Sequence, residues 1–311
     1  MALLYYDRLF LEHDTGDHAE SAARIIPAAR HLNLVAAHFG CARPSWRSLT
    51  PEELACVHDP HYIEHIRSLA ERGGGALDAD TVLSSRSFEV ASSAAGAVCD
   101  AVDKVIAGPE QRAFCLIRPP GHHATRDRGM GFCLFNSAAL AARRSIDQHG
   151  LDRVLIVDWD VHHGNGTQEI FWEDGRVGLL SIHRYPFYPG TGAANETGAG
   201  GGLGTKLNIP IEFGTSRPDY LDQFDRGLEA LSGRIRPQLI LISCGFDAHR
   251  LDPIGSLELE SEDFATMTRS ILDVAATYSD GKVVSLLEGG YNPQAVAESV
   301  EAHVQQLLCN S

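Results

Sequence analysis

Seven short apolar runs, separated by segments of helical length, constrain this chain more than any other feature. They are LLYY near residue 3, AFCLI at 113–117, RVLIV at 153–157, VGLLSI at 177–182, TKLNI at 205–209, QLILIS at 238–243 and KVVSLL at 282–287. Continuous apolar strands alternating with helices predict a parallel sheet covered on both faces, an α/β fold. Helical composition marks 51–71, 87–107, 137–149, 217–235, 261–279 and 293–308. Thr50-Pro51-Glu52-Glu53 supplies an N-cap, a proline in the first turn and early acid, and Ser261-Glu262-Asp263 and Asn292-Pro293 open two further helices. Neither a linker nor a repeat divides the sequence, so residues 1–311 are expected to form one domain.

In a parallel sheet, ligands bind beyond the carboxyl ends of the strands. Here those ends read RPPGHHA (118–124), DWDVHHGNG (158–166), HRYPFYPGTG (183–192), CGFDAHRLDP (244–253) and EGGYN (288–292). Five strand ends rich in His, Asp and Tyr point to chemistry. In extended chain, positions i, i+2 and i+4 share a face. Asp160 and His162 are therefore expected to reach one ion, with Asp158 one step behind. Asp247, ending a neighbouring strand, is the best third ligand. Two carboxylates and one imidazole leave a coordination position open, as catalytic sites require, and favour Zn2+, with Fe2+ the alternative. His122 and His123 offer general bases, Asp158 and Asn165 could orient them, and Tyr291 could donate to a developing oxyanion.

Charge and cysteine content narrow the partners. A net charge of −15 argues against nucleic acid or an anionic membrane as a general partner. Seven cysteines, an odd number without CxxC, imply free thiols in a reducing compartment. The first residues, MALLYYDRLF, lack the basic region and apolar core of a signal peptide, so a cytoplasmic location is expected.

The motifs RPPGHHA, GFCLFN (131–136), DWDVHHGNGTQ, YPGTG (188–192), CGFDAH and EGGYN resemble the histone deacetylase family, zinc-dependent members of the arginase-like fold. The resemblance runs from about residue 16 to 300. Trp159 and Asn165 look like class II and bacterial deacetylase-like amidohydrolases, which also include acetylpolyamine amidohydrolases. It implies a three-layer fold with a central, mostly parallel sheet. It implies Asp160, His162 and Asp247 as zinc ligands. His123 is then the general base, His122 its electrostatic partner or acid, and Asp158 and Asn165 the groups behind them. Tyr291 matches the transition-state tyrosine. Phe132 and Tyr188 match the aromatic walls of the acyl-lysine tunnel, Gly131 the glycine that meets the substrate, and Asp80 the rim carboxylate. Arg24, in HAESAAR, resembles the arginine of an internal acetate channel, although Ala19 departs from the family's His-Pro-Glu. A structural K+ is expected at Asp158, Asp160, His162, Ser181 and Ile182.

Polyamine-selective relatives carry a glutamate after the Asp-Pro that follows the third ligand. Ile254 stands there, which favours an acyl-lysine peptide or protein over a small acylated amine. Leu251, His249 and Arg250 add bulk near the rim. The competing expectations are acetylpolyamine hydrolysis, a silent acyl-ligand binding module and a dimanganese ureohydrolase. Oligomeric state is open, a homo-oligomer included. Plainer roles are expected elsewhere: His61 and His65 on a helix surface, His58 and Tyr62 fixing that helix, Cys133, Cys244, Trp159 and Val161 as core, His163 as structural, and GAGGGLG (198–204) as a flexible loop. His183 either lines the pocket or binds a loop.

Overall fold

The structure, a computed structural model, describes residues 2–255 and 257–308. All seven expected strands form, as β1 (Ala2–Tyr5), β4 (Arg112–Cys115), β5 (Val154–Asp158), β6 (Val177–Arg184), β7 (Lys206–Ile211), β8 (Leu239–Cys244) and β9 (Val283–Leu287). They make one parallel sheet in the order β1-β4-β9-β8-β5-β6-β7. A short antiparallel hairpin of β2 (Gly74–Ala76) and β3 (Val82–Ser84) stands apart; its glycine-rich sequence carries no apolar run.

Helices α1 (Ile26–Phe39), α2 (Pro51–Leu54), α3 (Pro60–Glu71), α4 (Ser87–Ala107), α5 (Ser137–Asp147), α6 (Asn165–Ile170), α7 (Arg217–Ile235), α8 (Ser261–Tyr278) and α9 (Pro293–Leu308) surround the sheet. α4 packs on α5, whereas α1, α9, α8 and α7 pack one against the next, giving the sheet two helical covers. The central strands are buried along their whole length, which explains their unbroken apolar sequences.

Local signals decide the helix boundaries. Thr50 accepts from the Glu53 N–H while Glu53 reaches back to Thr50, closing a capping box. The segment 51–71 is not one helix: Asp59 caps a new one at Pro60, because the residue before a proline leaves helical geometry. Asn292 Oδ1 accepts from Gln294 and Ala295 at the start of α9. At α8 the cap is Glu260, one residue before the expected Ser261, with Asp263 completing the box.

Sheet order places the site. From β5 the chain moves outward through β6 to β7, then returns across to β8 and moves the other way to β9. β5 and β8 therefore flank the switch point, where the carboxyl ends open a crevice.

Candidate active site

Asp160 and His162 follow β5, and Asp247 follows β8, on the two sides of that crevice. One ligand atom from each lies within 4.8 Å of the others, and all three residues are buried. The expected face of a strand is not what aligns Asp160 with His162, because β5 ends at Asp158. Side-chain turns do it instead: Asp158 Oδ1 accepts from the Asp160 N–H at 3.1 Å and Asp160 Oδ1 from the His162 N–H at 2.9 Å. The Val161 N–H fixes Asp247 Oδ1 at 2.8 Å and the Gly289 N–H fixes Asp160 Oδ2 at 2.8 Å. A Cβ on Gly245 or Gly289 would overlap these carboxylates, so both glycines are required by close approach.

This trio fits a divalent cation. His162 Nδ1 lies 3.0 Å from Asp160 Oδ1 and 3.2 Å from Asp247 Oδ2. With that donor engaged by Asp160, Asp247 Oδ2 is buried without a hydrogen bond. Burial and the Asp160 charge push the Asp247 carboxyl up to about 7. Burial would lower the His162 imidazole, but the bond to Asp160 and the adjacent Asp247 carboxylate raise it to about 9. Crowded carboxylates with an orphan oxygen call for positive charge between them.

The tandem histidines stand beside this trio. His122 Nδ1 meets Asp158 Oδ2 at 2.9 Å and His123 Nδ1 meets Asn165 Oδ1 at 2.7 Å, the pairing expected from the sequence. Their rings are 4.0 Å apart yet polarised oppositely. Burial opposes charge on His122, but Asp160 and Asp158 outweigh it and hold its pKa well above the ordinary range. Burial, with the neighbouring His122 and His162, holds His123 well below it. Burial likewise keeps the Tyr291 hydroxyl protonated.

A pocket of about 210 Å³ opens onto these groups. His123, His162 and Tyr291 are joined in its lining by Asp80, Gly131, Phe132, Tyr188 and Ile254. Phe187, which the sequence reading missed, completes it, stacked at 5.2 Å on His162. Arg24 does not line this pocket. It lies buried behind it, bonded to Glu20 and to the Gly290 and Glu288 carbonyls, with its guanidinium 5.0 Å from the Tyr291 ring. Asp158 and Ser181 are register partners on β5 and β6, with Ile182 next. A larger open groove of about 980 Å³ borders Asn165, and Asp160, His162 and Asp247 do not line it.

Other supporting residues, acting on backbone and on buried side chains beneath the site, escaped the sequence reading. Glu288 accepts from the Gly121 and His122 N–H groups at 2.6 and 3.1 Å and from the Ser243 hydroxyl at 3.0 Å. Asp252 accepts from the Tyr291 N–H at 2.6 Å and from the Ile254 and Gly255 N–H groups. Glu20 bridges Arg24 and Arg118 beneath the site.

His163 is buried between Thr191 and Gln168. His183 binds the Gly192 carbonyl at 3.0 Å and serves the loop. His58 and Tyr62 tie their segment to Thr125, Asn136 and Leu134. His61 and His65 are exposed, and neither belongs to a metal-competent cluster among the described residues. Cys133, Cys244, Trp159 and Val161 are buried, and Cys309 lies outside the described residues. The loop at 198–204 is packed rather than loose: Ala199 donates to the Trp172 carbonyl at 3.0 Å, and a Cβ on Gly202 would overlap that carbonyl.

Comparison with known proteins agrees with this fold. Residues 18–307 match the family described as Histone deacetylase domain. The chain is 38% identical over 270 residues to a histone deacetylase-like amidohydrolase of Pseudomonas aeruginosa, covering 86% of this chain and 71% of that protein. It is 38% identical over 323 residues to human polyamine deacetylase HDAC10, covering 99% of this chain and 48% of that one. The crystal structure of the HDA15 HD domain superposes with a TM-score of 0.93 at 35% identity, covering 99% of this chain and 88% of the other.

Proposed function

This chain belongs to the histone deacetylase family and is a hydrolytic deacetylase, and from that premise we propose that it removes acyl groups from Nε-acyl-lysine side chains with Zn2+ held by Asp160, His162 and Asp247. The observation that carries this reading is the meeting of a cation-demanding trio, a neutral imidazole and a protonated phenol at one pocket. Bound there, the cation supplies Lewis-acid polarisation of the acyl carbonyl and acidifies a water.

The protein's own groups do the rest. His123 donates through Nδ1 to Asn165, which leaves Nε2 free to accept the proton of the attacking water. His122, kept cationic by Asp160 and Asp158, stabilises the negative charge that develops beside it. The Tyr291 hydroxyl donates to the oxyanion. His123 then returns its proton to the leaving amine. Phe132, Tyr188 and Phe187 enclose the alkyl stem and exclude water, Gly131 borders it, and Asp80 meets the substrate backbone at the rim. Arg24 supports the Tyr291 ring from behind rather than touching the stem. A structural K+ beside Asp158, Asp160, His162, Ser181 and Ile182 belongs to the same reading, supported by the strand register there.

Small acylated amines are the second reading, favoured by the human relative named polyamine deacetylase. Ile254 presents an apolar side chain in the pocket lining and favours acyl-lysine. A reducing, cytoplasmic setting is supported by free thiols at all six described cysteines. No helix among the described residues is long and apolar enough to cross a membrane. The test is a panel of acyl-lysine peptides and acetylated polyamines on metal-loaded protein. Peptide turnover is expected to dominate, and Tyr291→Phe to lower kcat about 10²–10³-fold. Full activity in that variant would sink the oxyanion assignment.

A further inference from the structure

Phe132 has the backbone of a residue that should be glycine. Its φ is +68°, directly after Gly131 at +54°. Two successive left-handed residues, one carrying a Cβ, persist only where their surroundings hold them. The hold comes from a different part of the chain. The Thr81 hydroxyl accepts the Phe132 N–H at 3.1 Å and donates to Asp80 Oδ1 at 3.0 Å.

Thr81 is itself fixed. It lies in the turn of the β2–β3 hairpin and is 1% exposed. Its N–H donates to Asp78 Oδ1 at 2.7 Å, and its carbonyl accepts from Leu77 at 2.7 Å. One hydroxyl thus joins the loop bearing Asp80 to the loop bearing Gly131 and Phe132. Both loops line the pocket. The bridge needs a donor and an acceptor on one atom in a buried space the size of a methyl group. Serine offers this; valine, of the same shape as threonine, offers neither.

We infer that Thr81 is a positioning residue that sets the pocket wall at Phe132 and the rim carboxylate at Asp80 together, and so governs substrate binding more than the chemical step. The groups assigned to the chemical step, His123 for proton transfer and Tyr291 for the oxyanion, come from other loops, so losing the bridge should leave them in place. The inference rests on the proposed reading of this pocket as the acyl-substrate tunnel.

The experiment has two readouts on the full chain, compared among wild type, Thr81→Val and Thr81→Ser. The first is the exchange rate of the Phe132 amide, followed by residue-resolved hydrogen exchange, which needs no substrate. The second is the division between KM and kcat for an acetyl-lysine peptide and for an acetylated polyamine, using whichever the metal-loaded wild type hydrolyses. Thr81→Val should exchange at Phe132 at least about tenfold faster and raise KM about tenfold, with kcat within about threefold. Thr81→Ser should restore both. Unchanged exchange, a fall confined to kcat, or failure of serine to restore would each overturn the role of Thr81. Turnover of only the polyamine would overturn the acyl-lysine reading while the same KM division still tested the bridge.

Discussion

At the scale of single residues, the site is governed by which imidazole carries charge. The charges of Asp160 and Asp158 hold His122 cationic against burial, whereas burial and the neighbouring His122 and His162 hold His123 neutral, with uncharged Asn165 on its far nitrogen. A base that titrates well below the ordinary histidine range keeps working as the medium turns acidic, and activity is lost only as pH falls through that lowered value. Asn165→Asp places a negative charge on His123 Nδ1 and favours the imidazolium. The acid limb of the kcat/KM profile should then move to higher pH, by about one unit or more. An unmoved limb would show that His123 is not the base. Asp158 and Asn165 were legible in the sequence as candidate orienting groups, and the family resemblance implied which histidine each would face. The support of Tyr291 by Asp252 and Arg24 was not, because a hydrogen bond to a main-chain N–H leaves no pattern among side chains.

At the scale of elements, the strands announced themselves and the turns did not. The strands β1, β5, β8 and β9 are buried throughout and need apolar sequence, which made them readable, whereas edge strand β7, KLNIPI, is half-buried at three positions. The β2–β3 hairpin, built on Gly74 and Gly75, offers no such run, yet it delivers Asp80 to the pocket and Thr81 to the backbone of Phe132. Likewise the ligands were inferred from extended-chain alternation, whereas a succession of aspartate-capped turns aligns them. Strand ends crowd backbone against carboxylate in this region. Gly245→Ala would drive a methyl group into the Asp160 carboxylate at the end of β8. Metal affinity should drop at least about tenfold, measured by competition with a chelating dye, and the melting temperature should fall as well. Wild-type affinity in that variant would mean that Asp160 is not held against Gly245.

At the scale of the whole molecule, the switch point between β5 and β8 explains why chemistry from five strand ends gathers in one place. Beneath it, Glu20 is fully buried and ties the N-terminal region to the strand ends through Arg118 and Arg24. Burial would raise its pKa, but the two guanidinium groups outweigh that and bring it to about 2. A carboxyl depressed in the folded state stabilises fully above its unfolded value, about 4.5, and that contribution is lost as pH falls toward 2. The shift corresponds to roughly 3 kcal/mol. Acid unfolding of wild type should therefore steepen between pH 4.5 and 2, and Glu20→Gln should lower stability at pH 7 while flattening that dependence. An unaltered pH profile in Glu20→Gln would remove the ion cluster from the account.

Deacetylation is expected to depend on one metal ion held by Asp160, His162 and Asp247. The most direct measurement is acetyl-lysine peptide hydrolysis by chelator-stripped protein as Zn2+ is added back, with bound metal counted in the same samples and Asp160→Ala alongside. Activity should vanish on stripping and return linearly to a plateau at one equivalent of metal, while Asp160→Ala gains neither metal nor turnover. Full hydrolysis by stripped protein, or a full equivalent of metal bound by Asp160→Ala, would contradict it.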